Sequence, residues 1–167
     1  MYDVTRLIQQ MADALAGIIT DRAVHDPALV GVHTGGVWVA EGLRPLLKIP
    51  EPVGTLDVSF YRDDFARVGV RSGIRPSELP FDVEGRHLIL VDDVLHTGRT
   101  IRAALGEIFD YGRPASVLLA TLVDRGGRQL PIAADIVGLR LELAPGESIK
   151  LTGPEPLELT LQPARES

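Results

Sequence analysis

The sequence predicts a single α/β domain over residues 1–167, with a central, mostly parallel sheet flanked by helices. Short apolar runs of strand length alternate along the chain with segments of helical periodicity, which is the pattern of parallel strands joined by crossover helices. The 167 residues suffice for one hydrophobic core, and 45% hydrophobic with 24% charged residues is typical of a soluble globular protein. No apolar run approaches the roughly 18–20 residues that cross a bilayer, and no secretory leader is recognisable, so no membrane association is expected.

The N-terminal half is predicted to contain two helices and two strands. Apolar residues at spacings of three and four predict an amphipathic helix over about residues 3–22. A short buried strand over 29–32 ends at a Gly-Gly pair, and a second helix follows over 37–47. Alternating apolar residues over 54–61 predict the next strand.

The C-terminal half begins with a long segment, residues 62–81, that contains several Gly, Pro and Asp residues and little periodicity. A loop of that length inside a compact domain is usually functional or mobile. The elements predicted after it are a strand over 87–91, a helix over 98–111 ended by Gly112, a strand over 116–124 and short strands beyond residue 138.

Charge and cysteine content limit the possible functions. The net charge of −6 argues against nonspecific nucleic-acid binding over the whole surface. Of the 17 basic residues only Lys48 and Lys150 are lysines, and arginine suits bidentate contacts with phosphate, so a local RNA-binding patch is compatible with the acidic total. The absence of cysteine excludes disulfides, cysteine-ligated zinc and thiolate catalysis, and it favours a cytoplasmic location.

The main functional signal is the segment from Val91 to Thr100. An apolar strand ends in the adjacent carboxylates of Asp92 and Asp93, and a turn rich in small and hydroxyl residues then leads into a helix. Ligands of open α/β sheets bind at the carboxyl ends of the strands. The free N–H groups and the dipole of a helix start favour a phosphate there.

The two ends of this segment are predicted to hold the two ends of one ligand. Asp92 and Asp93 repel phosphate but can accept hydrogen bonds from the vicinal hydroxyls of a sugar. Gly98 permits a close approach of the backbone to the ligand, and Thr97 and Thr100 add hydroxyl donors. We therefore expect a ribose 5-phosphate cradle, since neither a Walker A sequence nor Gly-x-Gly-x-x-Gly occurs.

The same segment resembles the 5-phosphoribosyl-1-pyrophosphate (PRPP) signature of type I phosphoribosyltransferases. Within that superfamily, the chain is most similar to the bifunctional pyrimidine-operon attenuator and uracil phosphoribosyltransferase family (PyrR). The additional matching segments are residues 54–64, 111–115 and 123–132. The resemblance covers about two thirds of the chain, and it implies the type I fold with a small hood and a flexible loop.

The resemblance assigns roles to the residues around the strand ends. Asp92 and Asp93 would hold the ribose, and the residues expected around the 5′-phosphate are Val94, Leu95, Thr97, Gly98, Arg99 and Thr100. The pyrophosphate loop is expected to comprise His33, Thr34, Gly35 and Gly36, with a cis peptide between Thr34 and Gly35. Members of the family usually have arginine in place of Gly35. The pyrophosphate loop therefore lacks one cation, and the sequence does not determine how fast the site turns over.

A flexible loop over residues 61–80 is expected to close over the reaction centre. Arg62 is the expected catalytic partner of the pyrophosphate, and the additional cations Arg67, Arg71 and Arg75 are either helpers or ordinary surface residues. Closure of such a loop would exclude water from the reactive sugar cation.

Residues at the next strand end are expected to recognise the nucleobase. The resemblance implies this role for Val123, Asp124 and Arg125, although a structural salt bridge of Arg125 is an equal alternative. His96 replaces an aromatic residue of the family and is assigned either to packing or to acid–base catalysis. Arg128 is the candidate for RNA contact.

The expected activity is uracil phosphoribosyltransferase: uracil and PRPP give UMP and pyrophosphate. Mg²⁺ would arrive chelated by PRPP, with no direct protein ligand, and would neutralise the leaving group. One alternative is an RNA-binding regulator that responds to UMP or PRPP, acts on an mRNA leader and has little catalysis. The other alternative is a purine phosphoribosyltransferase, and His96 is the one residue that favours it. A homo-oligomer, dimer or tetramer, is also expected by resemblance.

Overall fold

A five-stranded parallel sheet forms the centre of the protein. The computed structural model describes residues 1–58 and 77–165. Its strands follow the order β2-β1-β3-β4-β5, and every neighbouring pair in that sheet is parallel. The elements are α1 (Val4–Asp21), β1 (Ala28–Val32), α2 (Gly35–Leu47), β2 (Gly54–Leu56), β3 (His87–Leu95), α3 (Arg99–Tyr111), β4 (Ser116–Asp124), β5 (Ile136–Arg140), β6 (Ser148–Thr152) and β7 (Glu158–Gln162). The predicted α/β class with a mostly parallel sheet is confirmed.

Helix α1 is fixed by a cap and by one apolar face. The carboxylate of Asp3 accepts a hydrogen bond from the N–H of Arg6 at 3.1 Å, which satisfies one donor of the first turn. Ile8, Met11 and Leu15 recur at helical spacing and are buried. A fully buried leucine such as Leu15 contributes about 2 kcal/mol through removal of its side chain from water.

The sheet is buried on both faces, as parallel sheets usually are. Ile89 and Val91 of β3 belong to the cluster that also contains α1, α2 and the β6–β7 hairpin. Leu88 and Leu90 alternate with them and belong to the cluster that contains α3. Because both faces of β3 are covered, the polar residues that follow on the same strand emerge at the carboxyl edge.

Strand β3 and helix α2 differ in their bounds from the prediction. The strand was expected to end at residue 91, but it continues to Leu95 because its parallel pairing with β4 persists to Asp124. Helix α2 was expected from residue 37, but it begins at Gly35. The acidic pair therefore lies within a strand, and the glycine pair lies in the first turn of a helix.

The prediction of a cis peptide between Thr34 and Gly35 is wrong by one residue. The cis bond joins His33 to Thr34. Since Gly35 is already the first residue of α2, the turn between strand and helix comprises only the two preceding residues.

Strand β2 is shorter than predicted and lies at an edge of the sheet. Gly54–Leu56 pairs with β1, and Thr55 also exchanges two backbone hydrogen bonds with Glu78, at 2.7 and 2.9 Å. Asp57 and Val58 continue without strand structure, and the rest of the predicted strand, 59–61, lies outside the described residues.

The chain ends in an antiparallel hairpin of β6 and β7. Ile149, Leu151 and Leu159 of the hairpin are buried in the cluster that includes α1 and α2. The hairpin thus forms the small hood that the fold was expected to have. Within the described part of the chain, no helix combines the length and apolar character needed to span a bilayer.

Candidate functional site

A cleft of about 330 Å³ opens at the carboxyl ends of β3 and β4. Its lining includes eight of the residues predicted from the central motif, which are Asp92, Asp93, Val94, Leu95, His96, Thr97, Gly98 and Thr100. Arg125, which was predicted near the nucleobase, lines the cleft as well. The sequence motif therefore forms one concave surface.

The two carboxylates of the cleft are not equivalent. Asp92 is only 3% exposed, and its Oδ1 accepts a hydrogen bond from the N–H of Asp93 at 2.9 Å. Asp93 is partly exposed, and its Oδ1 accepts the N–H of Val94 at 2.8 Å. Each carboxylate is thus oriented by the next backbone amide, and Asp93 presents more of its side chain to a ligand.

Helix α3 begins directly at the cleft. Gly98 is its N-cap and has a φ of 93°, in the left-handed region that favours glycine. The N–H of Arg99 donates to the hydroxyl oxygen of Thr97 at 3.2 Å, and that of Arg102 donates to the carbonyl of Gly98 at 3.0 Å. Helix geometry leaves the N–H groups of Thr100 and Ile101 without carbonyl partners inside the helix, so they are suited to an anion.

The predicted phosphate residues differ in accessibility. Thr97 is 5% exposed, while Arg99 points its Nε to the Oε1 of Gln129 at 2.8 Å. The side chain of Arg99 is therefore directed along the protein surface, and it does not line the cleft.

A second helix start adjoins the same carboxylates. Gly35, the first residue of α2, lies directly against the side chain of Asp93. A β-carbon at Gly36 would lie 2.5 Å from the carbonyl oxygen of Val91, so this position accepts only glycine without movement of the backbone. His33 donates its N–H to the carbonyl of Leu56 at 2.8 Å. Close packing of α2 on β3 thereby brings Gly35 of the predicted pyrophosphate loop beside Asp93, although residues 33–36 do not line the cleft itself.

The residues predicted at the nucleobase have three different environments. Val123 is fully buried, so only its backbone can face a ligand. Asp124 is 7% exposed and pairs with the Nη2 of Arg128 at 2.6 Å and with the Nη1 of Arg140 at 3.3 Å. Burial raises the pKa of Asp124, but the hydrogen bond from Arg128, the N–H of Gly126 and the two cations outweigh burial, so the pKa lies below its ordinary value of 3.8.

Arg125 is held at the rim of the cleft. Its Nη2 donates to the carbonyl of Glu147 at 3.1 Å, and its backbone N–H donates to the carbonyl of Leu95 at 3.1 Å. The buried Nε of Arg125 has no hydrogen-bond partner among the described residues. The alternative of a salt bridge for Arg125 finds no acidic partner in the same part of the chain; the guanidinium contacts a main-chain carbonyl instead.

His96 and Arg128 both contact the turn after β4. The Nδ1 of His96 lies 2.9 Å from the carbonyl of Gly126, so a proton on Nδ1 would bond to that carbonyl and leave Nε2 for other partners. Arg128 lies behind the loop of His96 and donates Nη1 to its carbonyl at 2.8 Å. Arg128 does not line the cleft.

Several predicted residues fall outside the described ranges. Arg62, Arg67, Arg71 and Arg75 belong to residues 59–76, as does most of the expected flexible loop. Over residues 1–58 and 77–165, no group of three or more His, Cys, Asp or Glu side chains forms a metal site.

Two lining residues escaped the sequence prediction. Ile101 belongs to the first turn of α3, and Ser148 begins strand β6 of the hood. Ile101 could have been found by extending the motif by one residue. No local signal marks Ser148, because only the packing of the hairpin brings it to the cleft.

The chain matches known phosphoribosyltransferases over nearly its whole length. Residues 1–151 match the phosphoribosyl transferase domain family. The "Bifunctional protein PyrR" of Pseudomonas syringae pv. syringae is 57% identical over 160 residues, which cover 96% of this chain and 94% of that protein. The protein of the same name from Nitrosococcus oceani is 54% identical over 162 residues and covers 96% and 92%.

Solved structures agree on the fold. The hypoxanthine phosphoribosyltransferase of Trypanosoma cruzi superposes with a TM-score of 0.63 at 22% identity, over 83% of this chain and 77% of that one. A hypoxanthine-guanine phosphoribosyltransferase of Bacillus anthracis gives 0.64 at 18% identity, with the same coverage. With the family match, the relatives and the motif-lined cleft in agreement, the chain belongs to the PyrR family of type I phosphoribosyltransferases.

Proposed function

We propose that the chain transfers phosphoribose from PRPP to uracil, with formation of UMP and release of pyrophosphate. The observation that carries the proposal is that the cleft is lined by two carboxylates and the start of α3, while the start of α2 packs against one of these carboxylates. Asp93 lines the cleft and lies against Gly35 at the start of α2, while α3 begins a few residues further along the same loop. A sugar with an anion at each end fits that order of acceptors and donors.

In this proposal the protein acts by position and charge. The bond from the anomeric carbon to pyrophosphate breaks with its electron pair on the leaving oxygen, and a ring nitrogen of uracil, which loses its proton, forms the new bond. Asp92 and Asp93 accept hydrogen bonds from the ribose hydroxyls, and their negative charge favours the cationic sugar that develops between the two steps. The N–H groups at the start of α3 hold the 5′-phosphate, so the reacting carbon is fixed relative to the base.

The residues of the cleft are compatible with Mg²⁺ carried by the substrate. Their hard carboxylate oxygens suit this ion, and the described residues offer no dedicated metal site of three or more acidic or histidine side chains. Asp92 and Asp93 would face the ion through water or through the ribose hydroxyls. Bound in that way, Mg²⁺ supplies neutralisation of the leaving pyrophosphate.

The proposal is tested by PRPP-dependent release of pyrophosphate with uracil, orotate, hypoxanthine and guanine in parallel. We expect uracil to give the largest kcat/KM. A larger value for hypoxanthine or guanine would favour the purine alternative, for which the solved purine enzymes support only the shared fold. Lack of release with all four bases would exclude a transferase for these acceptors.

A second candidate function is regulation through RNA, because the relatives are named bifunctional proteins. In this reading UMP or PRPP in the cleft controls binding to an mRNA leader, and Arg128 contributes one contact. Toward the described residues its guanidinium uses three donors, which leaves two N–H groups for a phosphate. Filter binding of a pyrimidine-operon leader, with and without UMP and over a series of salt concentrations, tests this function; retention of the RNA that does not depend on UMP would contradict it.

The expected homo-oligomer remains a prediction, for which light scattering is the direct measurement.

A further inference from the structure

The loop of residues 95–98, to which we assign the 5′-phosphate and which we call the phosphate loop, is hydrogen-bonded to residues 125–132, which we call the backing segment. The N–H of Arg125 donates to the carbonyl of Leu95 at 3.1 Å. The N–H groups of Gln129 and Leu130 both donate to the carbonyl of Thr97, at 2.9 and 3.2 Å. The side chain of Arg128 donates to the carbonyl of His96, which lies between these two. Three successive carbonyls of the loop, those of residues 95, 96 and 97, are thus hydrogen-bonded to the backing segment.

The direction of these carbonyls determines the direction of the amides that face the ligand. In a trans peptide the N–H points opposite to the C=O of the same unit. The carbonyl of His96 faces the backing segment, so the N–H of Thr97, which belongs to the same peptide unit, points to the other side. The carbonyl of Thr97 also faces the backing segment, so the N–H of Gly98 points to that other side as well. That other side is the cleft, which Thr97 and Gly98 line. Successive amides that face one concavity form an anion site.

The carbonyl of His96 differs from its two neighbours in the kind of donor that holds it. Backbone amides hold the carbonyls of Leu95 and Thr97, whereas the Nη1 of the Arg128 side chain holds that of His96. A side-chain substitution can therefore release this one peptide unit and leave the rest of the backing segment in place.

The guanidinium of Arg128 is itself fixed by two other partners. Its Nη2 donates to the carboxylate of Asp124 at 2.6 Å, and its Nε donates to the carbonyl of Ile132 at 2.7 Å. The planar guanidinium directs its three nitrogens in a rigid fork, so these two bonds aim Nη1 at His96. The side chain is 25% exposed, and Asp124 is buried.

We propose that Arg128 is a positioning residue for the 5′-phosphate: it holds the carbonyl of His96 and thereby points the N–H of Thr97 into the cleft. Arg128 does not line the cleft, so it acts through the loop and does not touch substrate. The proposal rests on the proposed function in one respect, that the loop binds the phosphate of PRPP and of UMP.

The test compares Arg128→Met with Arg140→Met. Both substitutions remove an arginine that pairs with Asp124, but Arg140 is 73% exposed and, over residues 1–58 and 77–165, its side chain bonds only to Asp124. For Arg128→Met we expect about a tenfold rise in KM for PRPP and in the Kd of UMP, which corresponds to one hydrogen bond to a charged group. The KM for uracil and kcat should change less than twofold, and Arg140→Met should leave all of these values within twofold.

A purely structural role for Arg128 predicts a different result. It would lower the unfolding temperature of Arg128→Met but leave the Kd of UMP, measured by calorimetry on folded protein, equal to that of the parent; this result would overturn the proposal. Arg128→Lys is the second variant, because lysine keeps the charge beside Asp124 but cannot span all three acceptors. An unchanged Kd of UMP in Arg128→Lys would likewise overturn it.

The proposal can also be separated from the proposed function. If the parent protein binds neither UMP nor PRPP, the proposed function fails before any variant is compared. If the parent binds UMP and neither variant folds, the amide protons of Thr97 and Gly98 in the parent decide. We expect UMP to shift both resonances downfield and to slow their exchange, whereas unchanged resonances would overturn the proposal.

Discussion

Gly35 is packed so closely on Asp93 that a β-carbon at residue 35 would lie 2.7 Å from Asp93 Cγ. Any side chain at this position must displace the carboxylate that we assign to the ribose. We therefore expect Gly35→Ala to lower kcat/KM for PRPP by at least about tenfold, since a small misplacement of a positioning group costs that much or more. Steady-state kinetics with PRPP as the varied substrate measures it.

Gly35→Arg tests whether the cation usual in the family can be restored. Because the arginine brings the same β-carbon, we expect it to bind PRPP no better than the parent and to turn over no faster. Gly106→Ala is the matched control for Gly35→Ala, since residue 106 lies in α3 and a β-carbon there has nothing within 4 Å. A gain of activity in Gly35→Arg would mean that Asp93 adjusts easily and that the missing cation limits this site.

Asp93→Asn separates the chemistry of the carboxylate from its structural role. The asparagine oxygen can still accept the N–H of Val94, which lies 2.8 Å from Oδ1, so the thermal unfolding midpoint should stay within about 2 °C of the parent. The loss of charge and of one acceptor should lower kcat/KM for PRPP about 100-fold. Asp13→Asn, on the exposed face of α1, is the control for removal of a carboxylate. Comparable activity in both variants would remove Asp93 from the proposed machinery.

Gly127 packs so closely against the imidazole ring of His96 that a side chain at residue 127 would clash with the ring. Gly127 has a φ of 79°, and a β-carbon there would lie 2.7 Å from Cε1 of His96. Gly127→Ala should therefore cost about 2 kcal/mol of unfolding free energy, from backbone strain and from the clash together. Gly126→Ala is a matched control, because Gly126 has a φ of 69° but open space around it.

The clash should also appear as coupling between the two residues. In a double-mutant cycle, His96→Ala should relieve about 1 kcal/mol of the cost of Gly127→Ala, while the strain of the positive φ remains. Denaturant titrations of the four proteins provide the free energies. Additive effects within 0.3 kcal/mol, which is about the error expected for independent sites, would show that the ring moves aside freely.

The sequence predicted the elements of the fold well because periodicity and turn residues are local signals. Strand β4 was predicted at its observed bounds, and α1 and α3 within one residue at each end. Strand β2 was predicted too long, and two other errors occurred where tertiary contacts extend an element. Pairing with β4 carries β3 through the acidic pair to Leu95, and packing on β3 allows α2 to begin at Gly35.

The candidate site was predictable where it is continuous in sequence and less so where it is not. The residues from Asp92 to Gly98 line the cleft together because a strand end and a helix start must share one edge of the sheet. The role of Arg128 toward the His96 carbonyl could not be predicted, since it depends on a chain reversal after β4. The same holds for Ser148, which reaches the cleft only through the hood.

Asp124 should make the free energy of unfolding of the protein fall at acidic pH. Its folded-state pKa lies below the ordinary 3.8, so the unfolded chain binds the proton more tightly and the carboxylate stabilises the folded state above that pH. The contribution is complete above about pH 5 and is lost as the pH falls through the lower, folded-state pKa. We expect Asp124→Asn to cost about 2 kcal/mol at pH 7, because the hydrogen bonds from Arg128 and Gly126 to a charged acceptor are weakened.

The measurement is the free energy of unfolding from urea titrations at intervals between pH 7 and pH 3. The difference between parent and Asp124→Asn should be constant from pH 7 to about pH 5 and should shrink below it, because protonation of Asp124 makes the parent resemble the variant. Asp13→Asn again serves as the control and should show no such convergence. A difference that stays constant down to pH 3 would mean that the bonds to Asp124 do not depend on its charge, and Arg128 would then be held by geometry and packing alone.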